Sequence, residues 1–148
     1  MIYEQDAFLS GLIKDPVLSY KIIDLLPFPI NYRDAEGFYI TCNKAFEKLL
    51  GISRVEVIGK SYLESQPAEV DEMMQMKDKE LFDSPTDIIY EHQFKTTDGT
   101  MHEMLIYKTA IRNDSGAFEG IVSTLYDVTD RRKAEIRSEK AKEASVIA

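Results

Sequence analysis

Hydrophobic positions change period along the chain, and each change marks an element. Phe8, Leu9, Leu12 and Ile13 recur at helical spacing and predict a short N-terminal helix ending near Lys14. Asp15-Pro16 then reads as an N-cap with proline in the first helical position. Leu18, Ile22, Leu25 and Leu26 form the apolar face of a second helix. Pro27 and Pro29 end it, because proline lacks the amide hydrogen that continuation needs. Ile30 to Arg33 and Phe38 to Cys42 predict two short strands, joined by the tight turn Asp34-Ala35-Glu36-Gly37. Asn43 is placed to cap a helix with Ala45, Phe46, Leu49 and Leu50 inward and Gly51 at its end. Ser53-Arg54-Val55-Glu56 fits a capping box opening one more helical turn, which Gly59 closes. Ala68 to Phe82 predicts a longer helix facing inward through Val70, Met73, Met74 and Leu81.

From Thr86 the period becomes two. Ile88, Tyr90, His92 and Phe94 alternate with Ile89, Glu91, Gln93 and Lys95. Asp98-Gly99 is a hairpin signal, Met101 to Arg112 the next strand, Asn113 to Gly116 another turn, and Phe118 to Tyr126 the last strand. A charged helix follows Asp127 to Asp130. The expected fold is α+β: a five-stranded antiparallel sheet with helices over one face, a pocket between sheet and helices, and flanking helices at both termini.

Composition narrows the classes. The chain has 148 residues, enough for one domain with its own core. No apolar run nears the length of a membrane span, and the N-terminus lacks the basic start and apolar stretch of a signal peptide. A cytoplasmic protein without membrane contact by this segment is the expectation. One cysteine, Cys42, forms no intrachain disulfide and no multi-cysteine zinc site. The net charge of −8 argues against nucleic-acid binding, since phosphates would be repelled. The charge is uneven, with six Lys/Arg against three Asp/Glu from Arg131 to Ala148. That tail reads as a solvated helix after an acidic globule. There is no nucleophile elbow, P-loop, H-E-x-x-H or paired-histidine spacing, and an enzyme is not expected.

Three stretches, in order, resemble the PAS family (sensory box) over Ile23 to Lys133. The first is Asp34-Ala35-Glu36-Gly37-Phe38-Tyr39-Ile40-Thr41-Cys42-Asn43-Lys44-Ala45-Phe46, followed by Leu50-Gly51 and Val57-Ile58-Gly59-Lys60. The second is Thr97-Asp98-Gly99. The third runs from Gly120-Ile121-Val122 to Tyr126-Asp127-Val128-Thr129-Asp130-Arg131. Leu26 to Gly37 is similar to the entry into PAS modules of hybrid sensor histidine kinases. The resemblance implies flanking helices over 1–26, a PAS domain over 27–130 and a C-terminal linker or signal helix over 131–148. It further implies a sensory domain that receives a small ligand or signal and passes it to an output domain in the same polypeptide. A two-component histidine kinase comes first. The alternatives are a ligand-free dimerisation module and the input to a diguanylate cyclase.

Pocket candidates under this resemblance are Tyr32, Ile40, Phe46, Met73, Met74, Tyr90, His92, Phe94, Met104, Ile106, Ser123 and Leu125. His92 shares a strand face with Tyr90 and Phe94, and its imidazole could bond a ligand or answer to pH. The plainer reading is a half-exposed strand histidine. The methionines offer adaptable lining, or plain core. His102, near a hairpin, reads as solvated. Cys42 reads as an inert buried thiol, with a redox role the alternative. Signal coupling falls to Asp127, Thr129 and Asp130. Asp127 ends a strand, and Thr129 or Asp130 can cap the helix beyond it. No cofactor is identified. The long middle helix has no histidine for haem, and Gly59 to Glu64 lacks the cysteine of photoactive flavin-binding members. A homodimer is expected through the N-terminal helix and the seam Ala134, Arg137, Ala141, Ala144 and Ala148.

Overall fold

The computed structural model describes residues 16–61, 68–84, 86–96 and 98–147. The expected helix over Phe8 to Ile13 and the Asp15 cap lie outside the described residues. The elements are α1 (Pro16–Leu25), β1 (Ile30–Asp34), β2 (Tyr39–Cys42), α2 (Lys44–Leu50), α3 (Arg54–Val57), α4 (Ala68–Asp83), β3 (Ile88–Lys95), β4 (Met101–Arg112), β5 (Phe118–Asp127) and α5 (Thr129–Ile147). The five strands form one antiparallel sheet in the order β2-β1-β5-β4-β3. The chain completes one edge, crosses through α2, α3 and α4, and returns to build the rest of the sheet from the far edge inward.

Local chemistry fixes the entry hairpin. Gly37 takes φ 90°, which glycine tolerates and a side chain resists. Asp34 Oδ1 accepts the amides of Glu36 and Phe38 at 3.0 Å each, forming the turn. Tyr32 pairs with Thr41, but Arg33 pairs with Tyr39, so Ile40 is an extra residue on β2. This bulge places Tyr39 and Cys42 on one face although they are three positions apart. Both are buried, whereas Ile40 is 43% exposed.

Asn43 is the hub between α1, β1 and α2. Its Oδ1 accepts the amides of Phe46 (3.0 Å) and Ile30 (2.9 Å), and its Nδ2 donates to the carbonyls of Ile23 (2.9 Å) and Phe28 (3.0 Å). A fully buried amide thereby uses its donors and both acceptor positions. The capping box expected at Ser53 does not form. Its hydroxyl makes no cap bond, and its carbonyl instead accepts the Glu56 and Val57 amides. After α3 the chain runs along β2: Tyr39 N–H donates to Lys60 O, Gly59 N–H donates to Tyr39 O, and Phe38 bridges Ser61. The outer edge of β2 is thus occupied at Tyr39.

The core lies between the sheet and α2 to α4. Tyr39, Cys42, Phe46, Leu50, Val57, Met104, Ile106 and Leu125 form its buried cluster. Met74, Tyr90 and Phe94 pack against that cluster. Among the described residues, no helix is long and apolar enough to cross a membrane.

Candidate functional site

Cross-strand register decides what faces the interior. Asn31 pairs with Ser123 and Ser123 with Lys108, so these three form one row across β1, β5 and β4. The next row inward-facing is Leu125, Ile106 and Tyr90. Both rows line a cavity of about 30 Å³, whose other lining residues are Tyr39, Phe46, Leu49, Met74, His92 and Phe94. That volume has room for about one or two water molecules.

The lining is chemically divided. One side is aliphatic and aromatic. The other carries buried polar atoms without a protein partner: Asn31 Oδ1, Tyr90 OH and Ser123 Oγ. Asn31 and Ser123 are 5% and 4% exposed. A buried polar group left unpaired costs about 1–3 kcal/mol, and three around one cavity concentrate that cost.

A charge cluster adjoins this polar side. Arg33 (β1) donates to Asp78 (α4) through both terminal nitrogens, at 2.7 and 2.9 Å, and Lys108 Nζ donates to Asp78 Oδ1 at 2.8 Å. Arg33 and Lys108 are each 1% exposed. Burial works to raise the Asp78 carboxyl, but the Arg33 hydrogen bonds and the Lys108 charge outweigh it and hold it below its ordinary value. Burial pulls the Lys108 ammonium down to about 8, against Asp78 and with Arg33. Lys108 and Lys77 lie 5.5 and 5.3 Å from the centre of the Tyr90 ring. Burial, followed by the Asp78 charge, pushes the Tyr90 phenol upward, so it remains a hydrogen-bond donor.

Eight of the expected pocket residues meet here: Phe46, Met74, Tyr90, His92, Phe94, Ile106, Ser123 and Leu125. Four do not. Tyr32 alternates with Asn31 and Arg33 and lies on the opposite sheet face, against Gly120. Ile40 is turned out by the bulge. Met73 is one helical step from Met74 and off the lining, and Met104 is packed at the far end of the inner face, beside an open cleft that also includes His102 and Asp127. Val70's side chain lies outside the described residues. Asn31 and Lys108 join the lining without having been singled out from the sequence, and Tyr39 and Leu49 join it as well. Cys42 is fully buried, and burial raises its thiol to about 11, leaving it protonated at neutral pH.

The β5–α5 junction is tightly bonded. Asp127 Oδ1 accepts both the amide and the hydroxyl of Thr129, and Asp127 Oδ2 lies 2.6 Å from His102 Nδ1. The Thr129 hydroxyl oxygen also accepts the Glu103 amide at 2.8 Å, and Val128 N–H donates to Glu103 O at 2.9 Å. Asp127, rather than Thr129 or Asp130, therefore caps α5, and Asp130 is exposed in its first turn. His102, expected to be solvated, is the partner of Asp127. Burial tends to raise the Asp127 carboxyl, but Thr129 and His102 hold it below the usual range. Arg132 adds an ion pair with Glu91 on β3. The first turn of α5 is thus joined to three strands.

Topology, cavity and junction together define a PAS module. The family model described as "PAS fold" matches residues 23–133, and the chain belongs to that family. Solved structures share the architecture. The PAS domain of BvgS from Bordetella pertussis superposes with a TM-score of 0.67 at 23% identity, covering 86% of this chain and 96% of that one. The Vibrio cholerae VqmA dimer, described in the absence of its target DNA, gives 0.69 at 21% identity, over 79% of this chain and 53% of that one. A phage VqmA–DPO complex gives 0.66 at 21% identity, over 95% and 62%. No curated protein matches the chain significantly.

Proposed function

We propose that this chain is a sensory input module without catalysis of its own, acting in the cytoplasm as a homodimer. A small molecule enters the cavity, and the change leaves through α5 toward an output domain in the same polypeptide. A two-component histidine kinase is the output favoured by the sequence around Leu26 to Gly37, ahead of a diguanylate cyclase. The signal-sensing role of the PAS fold supports this reading, as does the phage VqmA–DPO complex, a similarly folded protein solved with DPO.

One observation carries the proposal. Alternate residues of a single strand serve both places: Ser123 and Leu125 line the cavity, and Asp127 bonds the start of α5. A displacement of β5 by a ligand is therefore a displacement of the helix cap. The ligand shifts the equilibrium only by its differential affinity for the two arrangements.

The test is Asp127→Ala in the full-length protein, with output activity followed across conditions that switch the wild type. Regulation should be lost while the fold survives, since a cap is worth about 1 kcal/mol. Intact regulation would refute the coupling. The small cavity favours a second reading, a ligand-free dimerisation module. Native mass spectrometry separates the two, because a sensory module purifies with a molecule retained in its dimer.

A further inference from the structure

The inner face of the sheet does not stop at the cavity. Past the two rows already described come Asp127–Met104–His92 and then His102–Phe94. There the face opens into a cleft of about 540 Å³ between α2, the Pro27–Pro29 segment and the β3–β4 hairpin. Leu49 and Leu125 line both spaces. The cleft falls within the about 300–1,000 Å³ of small-molecule sites, and the cavity does not. Its apolar wall is made of Leu49, Met104, Leu125 and Phe28, whose ring packs on Tyr126 with centroids 5.1 Å apart. Pro27 and Pro29 flank that ring pair, and such surfaces suit a flat apolar ring. The polar end is oriented. Burial tends to raise the Asp127 carboxyl, but Thr129 and His102 hold it below the usual range, so it is ionised at neutral pH and can only accept. His102 Nδ1, 2.6 Å from Asp127 Oδ2, therefore carries the proton. In the neutral imidazole this leaves Nε2 as a lone-pair acceptor. Among the described residues no hydrogen bond occupies Nε2, and the side chain is partly exposed at the cleft.

We propose that this cleft binds a small planar aromatic molecule bearing one N–H or O–H donor, its ring against Phe28, Leu49 and Leu125 and its donor on His102 Nε2. The site is distinct from the interior cavity and goes beyond the sensory reading of that cavity. Its occupant bonds the residue that bonds the cap of α5, with no displacement of β5 in between. A donor on Nε2 polarises the imidazole and strengthens the Nδ1–H bond to Asp127, because hydrogen bonds in a chain reinforce one another. Asp127 in turn holds the amide and hydroxyl of Thr129, so occupancy of the cleft firms the start of the exiting helix.

The probes are indole and N-methylindole, which share a ring system and differ in the donor. Each is titrated into the isotopically labelled protein at about pH 8, above the ordinary titration range of histidine. The readout is the NMR amide resonances of Leu49, Leu125 and Thr129. Indole should shift all three saturably, and N-methylindole should bind about fivefold more weakly, as loss of one hydrogen bond implies. His102→Phe keeps a flat ring and removes the acceptor. It should bring indole to the affinity of N-methylindole and leave the affinity of N-methylindole in place. Equal affinities of the two probes for the wild type would overturn the assignment, and that comparison needs no variant. Shifts at Asn31 and Ser123 in place of Thr129 would put the probe in the interior cavity and overturn it as well. So would resonances that stay unmoved up to the solubility limit of indole.

Discussion

Asp78→Ala is the sharpest test of the buried cluster. The substitution removes one carboxylate from beside two cations that are 1% exposed. Three hydrogen bonds disappear, two from Arg33 and one from Lys108. Breaking a buried ion pair from one side costs about 3–5 kcal/mol, because the remaining charge is left without compensation. Against a domain stability of about 5–15 kcal/mol, that is a large fraction. For a chain of this length each kcal/mol moves Tm by about 3–4 °C, so a drop of about 9–20 °C is expected. The assay is urea unfolding followed by far-UV circular dichroism, with a thermal melt alongside. Lys108→Met provides the contrast. It removes a cation that burial disfavours and leaves the bidentate Arg33–Asp78 pair, so its cost should stay within about 1 kcal/mol. If Asp78→Ala also costs under about 1 kcal/mol, the cluster is hydrated in solution and the argument from buried charge fails.

Further outcomes follow from the same geometry. Asn43→Ala removes four hydrogen bonds at one buried hub and should cost about 2–4 kcal/mol in denaturant unfolding, combining a lost cap with newly unpaired backbone groups. Gly120→Ala should cost about 1–3 kcal/mol, since its Cβ would lie 2.4 Å from Arg33 O and 2.7 Å from the Tyr32 ring; a neutral result would show that β1 and β5 can separate. The lowered ammonium of Lys108 predicts an alkaline trend. Between about pH 8 and the ordinary lysine value near 10.5, the unfolded chain holds a proton that the folded chain has released. The contribution of Lys108 to stability therefore rises with pH through that window. Stability of wild type minus Lys108→Met across pH 7–11 measures it, and a flat difference would contradict the shift.

Much of this arrangement was legible from residue patterns, and the gaps have physical causes. The alternation from Ile88 to Phe94 set the inner face of β3, which put Tyr90, His92 and Phe94 on the cavity. The order of strands and helices followed from turn residues and periodicity. Ile40 was misplaced because a bulge inserts a residue without any local signature in Tyr-Ile-Thr-Cys. Tyr32 was a pocket candidate, yet parity on β1 turns Asn31 and Arg33 inward and Tyr32 away. Lys108 was not among the candidates, since a lysine is ordinarily exposed. It continues the inward series Met104, Ile106, and that spacing was a usable signal. What no local pattern supplies is Asp78, which is 45 and 30 positions from the cations it joins. The Asp127–Thr129 cap was partly readable from the closing motif. The part played by His102 was not, because it depends on β4 lying beside β5.

The run of chain over β2 has a consequence for self-association. A sheet has two borders where a foreign strand can add, and here one is sealed by hydrogen bonds between Tyr39 and residues 59 and 60. The longer edge is β3, where Glu91, Gln93 and Lys95 stud the solvent face. Charges there disfavour strand-on-strand stacking. Copies of this molecule are steered toward meeting through helices and sheet faces instead of polymerising edge to edge.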